Sequence, residues 1–291
     1  MNLIRQSISW ASELLRESGN SSPLTEVEQI LMHLLKCRRI DLYLSSSLAE
    51  QLDEKVFQQL VHERVKGIPL QYLLGKVYFW CWEFQVRTGV FIARPETEVL
   101  VEQAVQFFQP QPNGGGRTVH LLDLGTGLGN IAITLTKILT HCKISAIELS
   151  ETAIQLAQEN ALLHGVGDRI HFLQGDWRIY LQEGIQDGLK NVDGILANPP
   201  YIPTQEIETL DFEVQQEPRE ALDGGPEGLH WIAQILKQTK NCLADDGYLI
   251  LEIGERQSEK VSLLAQENRW EHFGFTKDLA GIDRVFWAKK R

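Results

Sequence analysis

The sequence predicts an α/β protein, a doubly wound sheet preceded by a small all-helical domain and a β-hairpin. Three observations carry this. From Val119 onward, short β-branched runs alternate with segments of helical periodicity. Up to residue 66 the apolar residues recur at helical spacing instead. Between the two, VYFWCWEFQV (Val77 to Val86) is aromatic and β-branched, as a hairpin requires.

The elements follow in order. Leu3, Ile4, Ile8, Ala11, Leu14 and Leu15 mark a first amphipathic helix. Ser21-Ser22-Pro23 offers an N-cap region and an early proline for a second, which carries Val27, Ile30, Leu31, Leu34 and Leu35. A third is expected from Leu48 to Lys66, stopping at Gly67-Ile68-Pro69. Arg94-Pro95-Glu96-Thr97-Glu98 opens a helix through Phe108, and QPQPNGGGR (Gln109 to Arg117) is a Pro/Gly-rich loop. The strands of the sheet are VHLLDLG, KISAIEL, RIHFLQGD, VDGILAN and GYLILEIG, with helices from Asn130 and through Leu163. The long polar stretch from Pro203 to Glu227 reads as a lid or as disordered. The domains expected are therefore residues 1–70 (helical), 71–92 (hairpin connector) and 93–291 (the sheet domain).

Composition narrows the function classes. A chain of 291 residues with 43% hydrophobic and 23% charged content is an ordinary globular protein of about two domains. No apolar run reaches the roughly 18–20 residues of a membrane span, and the N-terminus has no signal-peptide pattern. Cys37, Cys81, Cys142 and Cys242 are dispersed, without a CxxC pair, as reduced thiols in a cytoplasm would be. Neither they nor the scattered histidines form a metal pattern, so no metal is expected. The net charge is −11, yet residues 1–85 hold 9 Lys/Arg against 10 Asp/Glu, so the acidity lies in the sheet domain. An acidic catalytic region disfavours DNA or RNA as substrate, since such affinity draws on clustered Lys and Arg.

The motif LLDLGTGLGN places Asp123, Gly125, Gly127 and Gly129 at the end of the sheet domain's first strand. Ligands bind beyond the carboxyl ends of strands in such sheets, and glycines allow a tight turn and close approach. The dinucleotide fingerprint fails because Asn130 stands where its third glycine belongs, and the phosphate-loop GK[ST] is absent. Gly-x-Gly-x-Gly with an Asp two residues before it resembles the S-adenosylmethionine (SAM) methyltransferases. A glycine turn with no ligand is the plainer alternative for the loop alone. Glu148, ending the next strand, could accept from both ribose hydroxyls or be a solvated carboxylate. Asp176 and Trp177 after the third strand could frame an adenine ring, or Trp177 could be core.

GILANPPYIP (Gly194 to Pro203) poses the remaining question. Asn198 and Pro199 each precede a proline and are held extended. Pro199 and Pro200 have no N–H, so no ordinary turn or ladder continues. The Pro199 carbonyl is left in a rigid backbone beside the Asn198 amide oxygen. Two fixed acceptors suit a planar NH₂ group, and Tyr201 offers a flat wall for it. A strand-ending turn is the alternative for the motif in isolation.

Asn-Pro-Pro-Tyr after such a glycine loop is similar to methyltransferases acting on planar nitrogen in adenine, guanine or glutamine. The rest of the chain resembles the release-factor glutamine methyltransferases, the PrmC/HemK family, nearly end to end. PLQYLLG (Pro69 to Gly75), ARPETE (Ala93 to Glu98), DLGTGLG, NPPYIP, EPREALDGGPEGL (Glu217 to Leu229), LEIGERQ (Leu251 to Gln257) and DLAGIDR (Asp278 to Arg284) carry it. The resemblance implies methyl transfer from SAM to the side-chain amide of the Gly-Gly-Gln glutamine in class 1 release factors. It implies Gly125, Thr126, Gly127, Leu128, Gly129, Glu148, Trp177 and Asn198 as cofactor contacts. Asn198, Pro199, Pro200 and Tyr201 become the glutamine site, with Asn198 and Pro199 catalytic. The helical domain would recognise the partner, and a cytoplasmic monomer is expected. Ala93 stands where the family usually has Pro, Glu148 where it usually has Asp, and Leu128 and Asn130 occupy variable positions. An amino-methyltransferase of adenine or guanine in nucleic acid is the alternative, and a SAM-binding module without activity is another. The intact Asn-Pro-Pro-Tyr stretch speaks against the last.

Overall fold

The computed structural model describes residues 3–45, 47–110, 117–183 and 189–291. Its contacts group the chain into two units, residues 1–76 with 211–216, and residues 77–210 with 217–291.

The first unit is helical: α1 (Leu3–Glu17), α2 (Pro23–Leu35), α3 (Arg39–Leu44), α4 (Glu54–Val65) and α5 (Leu70–Leu74). Ile4, Ile8, Ala11 and Leu15 form the inward stripe of α1 and pack with Val27, Ile30, Leu31, Phe57 and Val61. The helix expected from Leu48 starts later, at Glu54. A 3₁₀ turn fills Ser47–Glu50, and the Asp53 carboxylate then accepts the N–H groups of Lys55 and Val56. That cap begins a new helix where apolar spacing alone shows a continuous one. The short helices α3 and α5 were not expected. Arg64 is buried, and donates to Glu26 at 2.5 and 3.0 Å and to Glu213 at 2.7 Å. It thereby fastens the 211–216 segment into this unit. Gly67 has φ +82°, and a Cβ there would lie 2.1 Å from the Phe212 ring, so only glycine fits.

In the second unit the hairpin is β1 (Lys76–Phe79) and β2 (Trp82–Gln85), apart from its first residue, Lys76. The buried Asn160 side chain accepts from Gln85 N–H at 2.8 Å and donates to Gln85 C=O at 3.0 Å. The hairpin is thereby fastened to the sheet domain through Asn160. A 3₁₀ turn at Pro95–Thr97 leads into α6 (Glu98–Phe108). There follow β3 (Val119–Leu124), α7 (Asn130–Ile138), β4 (Cys142–Glu148), α8 (Glu151–Leu163), β5 (Ile170–Gln174), α9 (Trp177–Glu183) and β6 (Val192–Ala197). The chain ends with α10 (His230–Gln238), β7 (Leu243–Glu252), α11 (Ser258–Glu267), β8 (His272–Lys277) and β9 (Asp283–Lys289). Residues 111–116 of the Pro/Gly-rich loop lie outside the described residues.

The seven strands run in the order β5-β4-β3-β6-β7-β9-β8, parallel except for β9, which is antiparallel to both neighbours. Strand order therefore reverses direction between β3 and β6, the switch point at which α/β sheets bind ligands. All six residues of β6 are buried. Its Gly194 lets Phe108 of α6 approach, because a Cβ there would lie 2.4 Å from that ring.

The Pro203–Glu227 stretch, expected as a lid or as disordered, has regular local structure. It consists of 3₁₀ turns at Thr204–Thr209, Val214–Gln216 and Arg219–Ala221, the middle one belonging to the first unit. Ile202 N–H donates to Leu222 C=O at 3.0 Å, and Gly224 N–H donates to Ile202 C=O at 2.8 Å. Buried Glu217 accepts Ile92 N–H at 2.9 Å and pairs with Arg94. Polar anchors and short turns leave no periodicity for a sequence to display.

Candidate active site

Strand register sets one row of residues along the carboxyl edge of the sheet. Leu124 aligns with Ile147 on one side and with Ala197 on the other. Glu148 aligns with Gln174, and Ala197 aligns with Leu251. Reading across, Gly175, Glu148, Gly125, Asn198 and Glu252 end or follow five neighbouring strands. The glycine loop and the Asn-Pro-Pro-Tyr stretch are therefore immediate neighbours.

Within the loop the glycines differ in role. Gly125 (φ +72°) and Gly127 (φ +58°) would point a Cβ into open space, so they form a bare backbone cradle. Gly129 caps α7 instead; its Cβ would meet Ile133 at 2.9 Å and Ala157 at 3.2 Å, which makes it a packing glycine. Thr126 is buried and donates to Asp123 Oδ2 at 2.6 Å. Leu128 is also buried, and its carbonyl accepts from Asn160 Nδ2 at 2.9 Å. The Thr126 side chain and the Leu128 side chain and carbonyl thus hold the loop, and the Leu128 N–H is left to meet a ligand. Asp123 is fully buried beneath the loop, and burial pushes its carboxyl up to about 7. Its Oδ1 has no hydrogen-bond partner among the described residues.

Glu148 ties the loop to the next turn, accepting Gly127 N–H at 2.9 Å and Ser150 N–H at 2.8 Å. Each carboxylate oxygen retains acceptor capacity for a hydroxyl. Asp176 is engaged by Arg178, whose hydrogen bonds hold that carboxyl below its ordinary range. Trp177 opens α9 and meets Trp231 edge-on, with centroids 6.2 Å apart. Trp231 in turn donates to Asp223 C=O at 2.9 Å. Trp177 thus combines core packing with a place near the row, while Asp176 is largely committed to its arginine.

Asn198 Nδ2 donates to the Thr97 hydroxyl at 3.1 Å. This fixes the amide so that Oδ1 is the atom turned away from Thr97. Tyr201, expected as a flat wall, is also held at both ends of its residue. Its hydroxyl donates to Glu252 Oε1 at 3.1 Å, and its ring packs against the core cluster. Burial raises the Tyr201 phenol well above its ordinary value. The Tyr201 carbonyl accepts from Gln257 Nε2 at 3.0 Å, and the same nitrogen donates to Gly228 C=O at 3.1 Å. Gly228 (φ +71°) comes so near that a Cβ would lie 2.2 Å from that Tyr201 oxygen. Tyr201 therefore anchors the stretch, and Pro199 and Pro200 hold it extended.

Thr97, Gln257, Gly228 and Glu252 had no assigned part in the sequence reading. The signal was present, since they belong to ARPETE, LEIGERQ and EPREALDGGPEGL. Their partners are far away in the chain, so no local spacing could assign them.

A family model described as PrmC N-terminal domain matches residues 6–75, and one described as methyltransferase domain matches residues 116–284. A release factor glutamine methyltransferase of Thermodesulfovibrio yellowstonii is 36% identical over 283 residues, covering 96% of this chain and 98% of its own. The chain belongs to the release factor glutamine methyltransferase family. Its relative of that name from Moorella thermoacetica is 36% identical and is covered over 99% of both chains. Among solved structures, the hMettl16 catalytic domain in complex with MAT2A 3'UTR hairpin 6 aligns with TM-score 0.54 at 13% identity. It covers 70% of this chain and 74% of that one, which speaks to the fold alone. As in methyltransferases generally, the methyl donor is SAM, and the site's chemistry fits it. Bare glycine backbone permits close approach, and a strand-end carboxylate suits a ribose. The buried Asp123 carboxyl lies under the loop and braces it through Thr126.

Proposed function

We propose that this family member methylates the side-chain amide nitrogen of the glutamine in the Gly-Gly-Gln motif of class 1 release factors. One observation carries the reading. Asn198 commits its NH₂ to Thr97, so its oxygen is the end left for a substrate donor, on the strand beside the glycine loop. The Pro199 carbonyl, which follows it in a proline-stiffened backbone, supplies a second acceptor.

An amide nitrogen is a poor nucleophile, because its lone pair is delocalised into the carbonyl. Asn198 Oδ1 and the Pro199 carbonyl accept its two N–H groups, orient it, and favour positive charge developing there. The Gly125–Gly129 backbone and Glu148 would hold the cofactor, which supplies an activated methyl carbon when bound. No general base is required, since the product can lose its proton to water afterwards. Glu217 and Gln257 keep the flanking segments in place.

The helical first unit is read as the partner-recognition element, and the protein as a cytoplasmic monomer. Cys37, Cys81, Cys142 and Cys242 are free thiols, as suits a reducing compartment. Light scattering on purified protein checks the monomer. Labelled methyl transfer from SAM to purified release factor tests the function, with tRNA, rRNA and DNA as parallel acceptors. Label confined to the factor supports the glutamine reading. Label in a nucleic acid alone would replace it with the adenine or guanine alternative.

A further inference from the structure

Asn198 can act as an acceptor only if its amide is held one way round, and the groups that hold it lie outside the Asn-Pro-Pro-Tyr stretch. We propose that Thr97 and Glu252 are positioning residues for methyl transfer, the Glu252 carboxylate setting, through the Thr97 hydroxyl, which end of the Asn198 amide faces the substrate. This rests on the reading of Asn198 as the substrate's acceptor.

The reasoning follows the protons. A hydroxyl has one proton to donate. The Thr97 oxygen receives an Asn198 N–H at 3.1 Å, so the Thr97 proton points elsewhere. The Glu252 carboxylate lies near enough for the Thr97 hydroxyl to favour its charged form. Glu252 ends β7, next to Asn198 by strand register, and is fully buried. Its Oε1 takes the Tyr201 hydroxyl at 3.1 Å, and its Oε2 is buried without a well-formed hydrogen bond among the described residues. The Thr97 and Tyr201 hydroxyls both favour its charged form. An ionised carboxylate only accepts. It therefore draws the Thr97 proton, presents a Thr97 lone pair to Asn198 Nδ2, and leaves Asn198 Oδ1 facing outward.

Protonation removes that constraint. A neutral Glu252 has an O–H of its own and can donate to Thr97. Thr97 is then free to donate to the amide oxygen, which turns the Asn198 NH₂ outward. A substrate NH₂ would meet donor against donor. Every charged group around the carboxyl bears on this balance. Arg284 on β9 favours the charged form, Glu96 in the turn before α6 opposes it, and Tyr201 reaches it from the loop after β6. Arg284 is itself held by Asp278 at 3.2 Å, which gives DLAGIDR a part in the arrangement. Burial outweighs these neighbours and lifts the carboxyl to about 7. The change of direction therefore falls near neutral pH.

The test uses the full chain with SAM and a purified class 1 release factor, over roughly two pH units either side of neutrality. Wild-type kcat at saturating SAM and factor should rise with pH as a single ionisation near neutrality. Glu252→Gln should abolish that rise. Thr97→Val should lower kcat at least about tenfold with SAM affinity unchanged, and Thr97→Ser should recover most of the loss. Calorimetric SAM binding reports whether each variant is folded. In parallel, NMR of protein carrying isotopically labelled asparagine follows the Asn198 side-chain amide, with no substrate present. Its resonance should titrate with the midpoint of kcat in the wild type and stay still in Glu252→Gln. Unchanged kcat in Thr97→Val, or an Asn198 amide indifferent to pH in the wild type, overturns the proposal. If the amide titrates as expected while the factor is not methylated, the positioning chain stands and the substrate reading falls.

Discussion

In the proposed reaction binding and chemistry converge on Asn198, whose amide oxygen would accept a hydrogen bond from the substrate NH₂ while its own NH₂ is tied to Thr97. Asn198→Ala deletes that acceptor and leaves both prolines in place. Turnover at saturating SAM should fall about 10²–10³-fold, or roughly 3–4 kcal/mol, as for other preorganised hydrogen-bond partners. A radiolabel assay reads it directly, and wild-type turnover would remove Asn198 from the clamp. Two buried carboxyls lead to a second expectation. Burial lifts Asp123 and Glu252 each to about 7, from ordinary values near 4. Between those limits the folded protein holds protons that the unfolded chain has released. Stability from these groups is therefore complete below the ordinary carboxylate range and is lost as pH rises through about 7. Asp176, Asp223 and Asp278 are held below their ordinary values and act with opposite sign, in more acid solution. Thermal unfolding should show the melting temperature declining toward neutral pH, and Asp123→Asn should flatten that decline. A melting temperature that rises steadily across this window would contradict the burial argument.

Among the elements, α8 ties the hairpin and the glycine loop together through one side chain. Asn160 serves Gln85 N–H, Gln85 C=O and the Leu128 carbonyl from a buried position. Asn160→Ala leaves the buried Leu128 carbonyl unpaired, at about 1–3 kcal/mol, and removes two further hydrogen bonds to the exposed Gln85. Denaturant unfolding should show a loss of about 2–4 kcal/mol in total, and SAM affinity should weaken because Leu128 sits in the loop. A variant as stable as the wild type would mean that the hairpin is held by other contacts. Elements also divide what the sequence made legible from what it did not. The parallel strands β3 to β7 were readable because a sheet covered on both faces produces continuous apolar runs such as VDGILA. By contrast, β8 is only half-buried along its middle and shows no such run, so the antiparallel edge went unread. The start of α4 was misplaced because the Asp53 cap competes with an apolar spacing that continues through it. Gly125, Gly127 and Asn198 could be named from sequence, since their chemistry lies in the residue type itself. Thr97 and Glu252 could not, because only the pairing of β6 with β7 and the long-range Asn198–Thr97 hydrogen bond bring those distant positions together.

For the whole molecule, the proposed reading gives the cofactor to the second unit and partner recognition to the helical one. The seven strands of the sheet, with their carboxyl ends, belong to residues 77–210 and 217–291. The helical unit adds residues 211–216 to 1–76, clasped by Arg64 through Glu26 and Glu213. A chain lacking residues 1–76 should thus keep SAM affinity within a few-fold by calorimetry while kcat/KM for the release factor drops at least about tenfold. Equal kcat/KM for the truncated and full chains would take partner recognition away from the helices. The central claim, that this sheet edge methylates a glutamine amide, has a more direct test. Full-length protein is incubated with SAM and a purified class 1 release factor, and the factor's peptides are examined by mass spectrometry. One methyl group on the glutamine of the Gly-Gly-Gln motif, absent when Asn198→Ala replaces the wild type, is the result predicted. An unmodified factor under conditions in which the same preparation methylates a nucleic acid would contradict it.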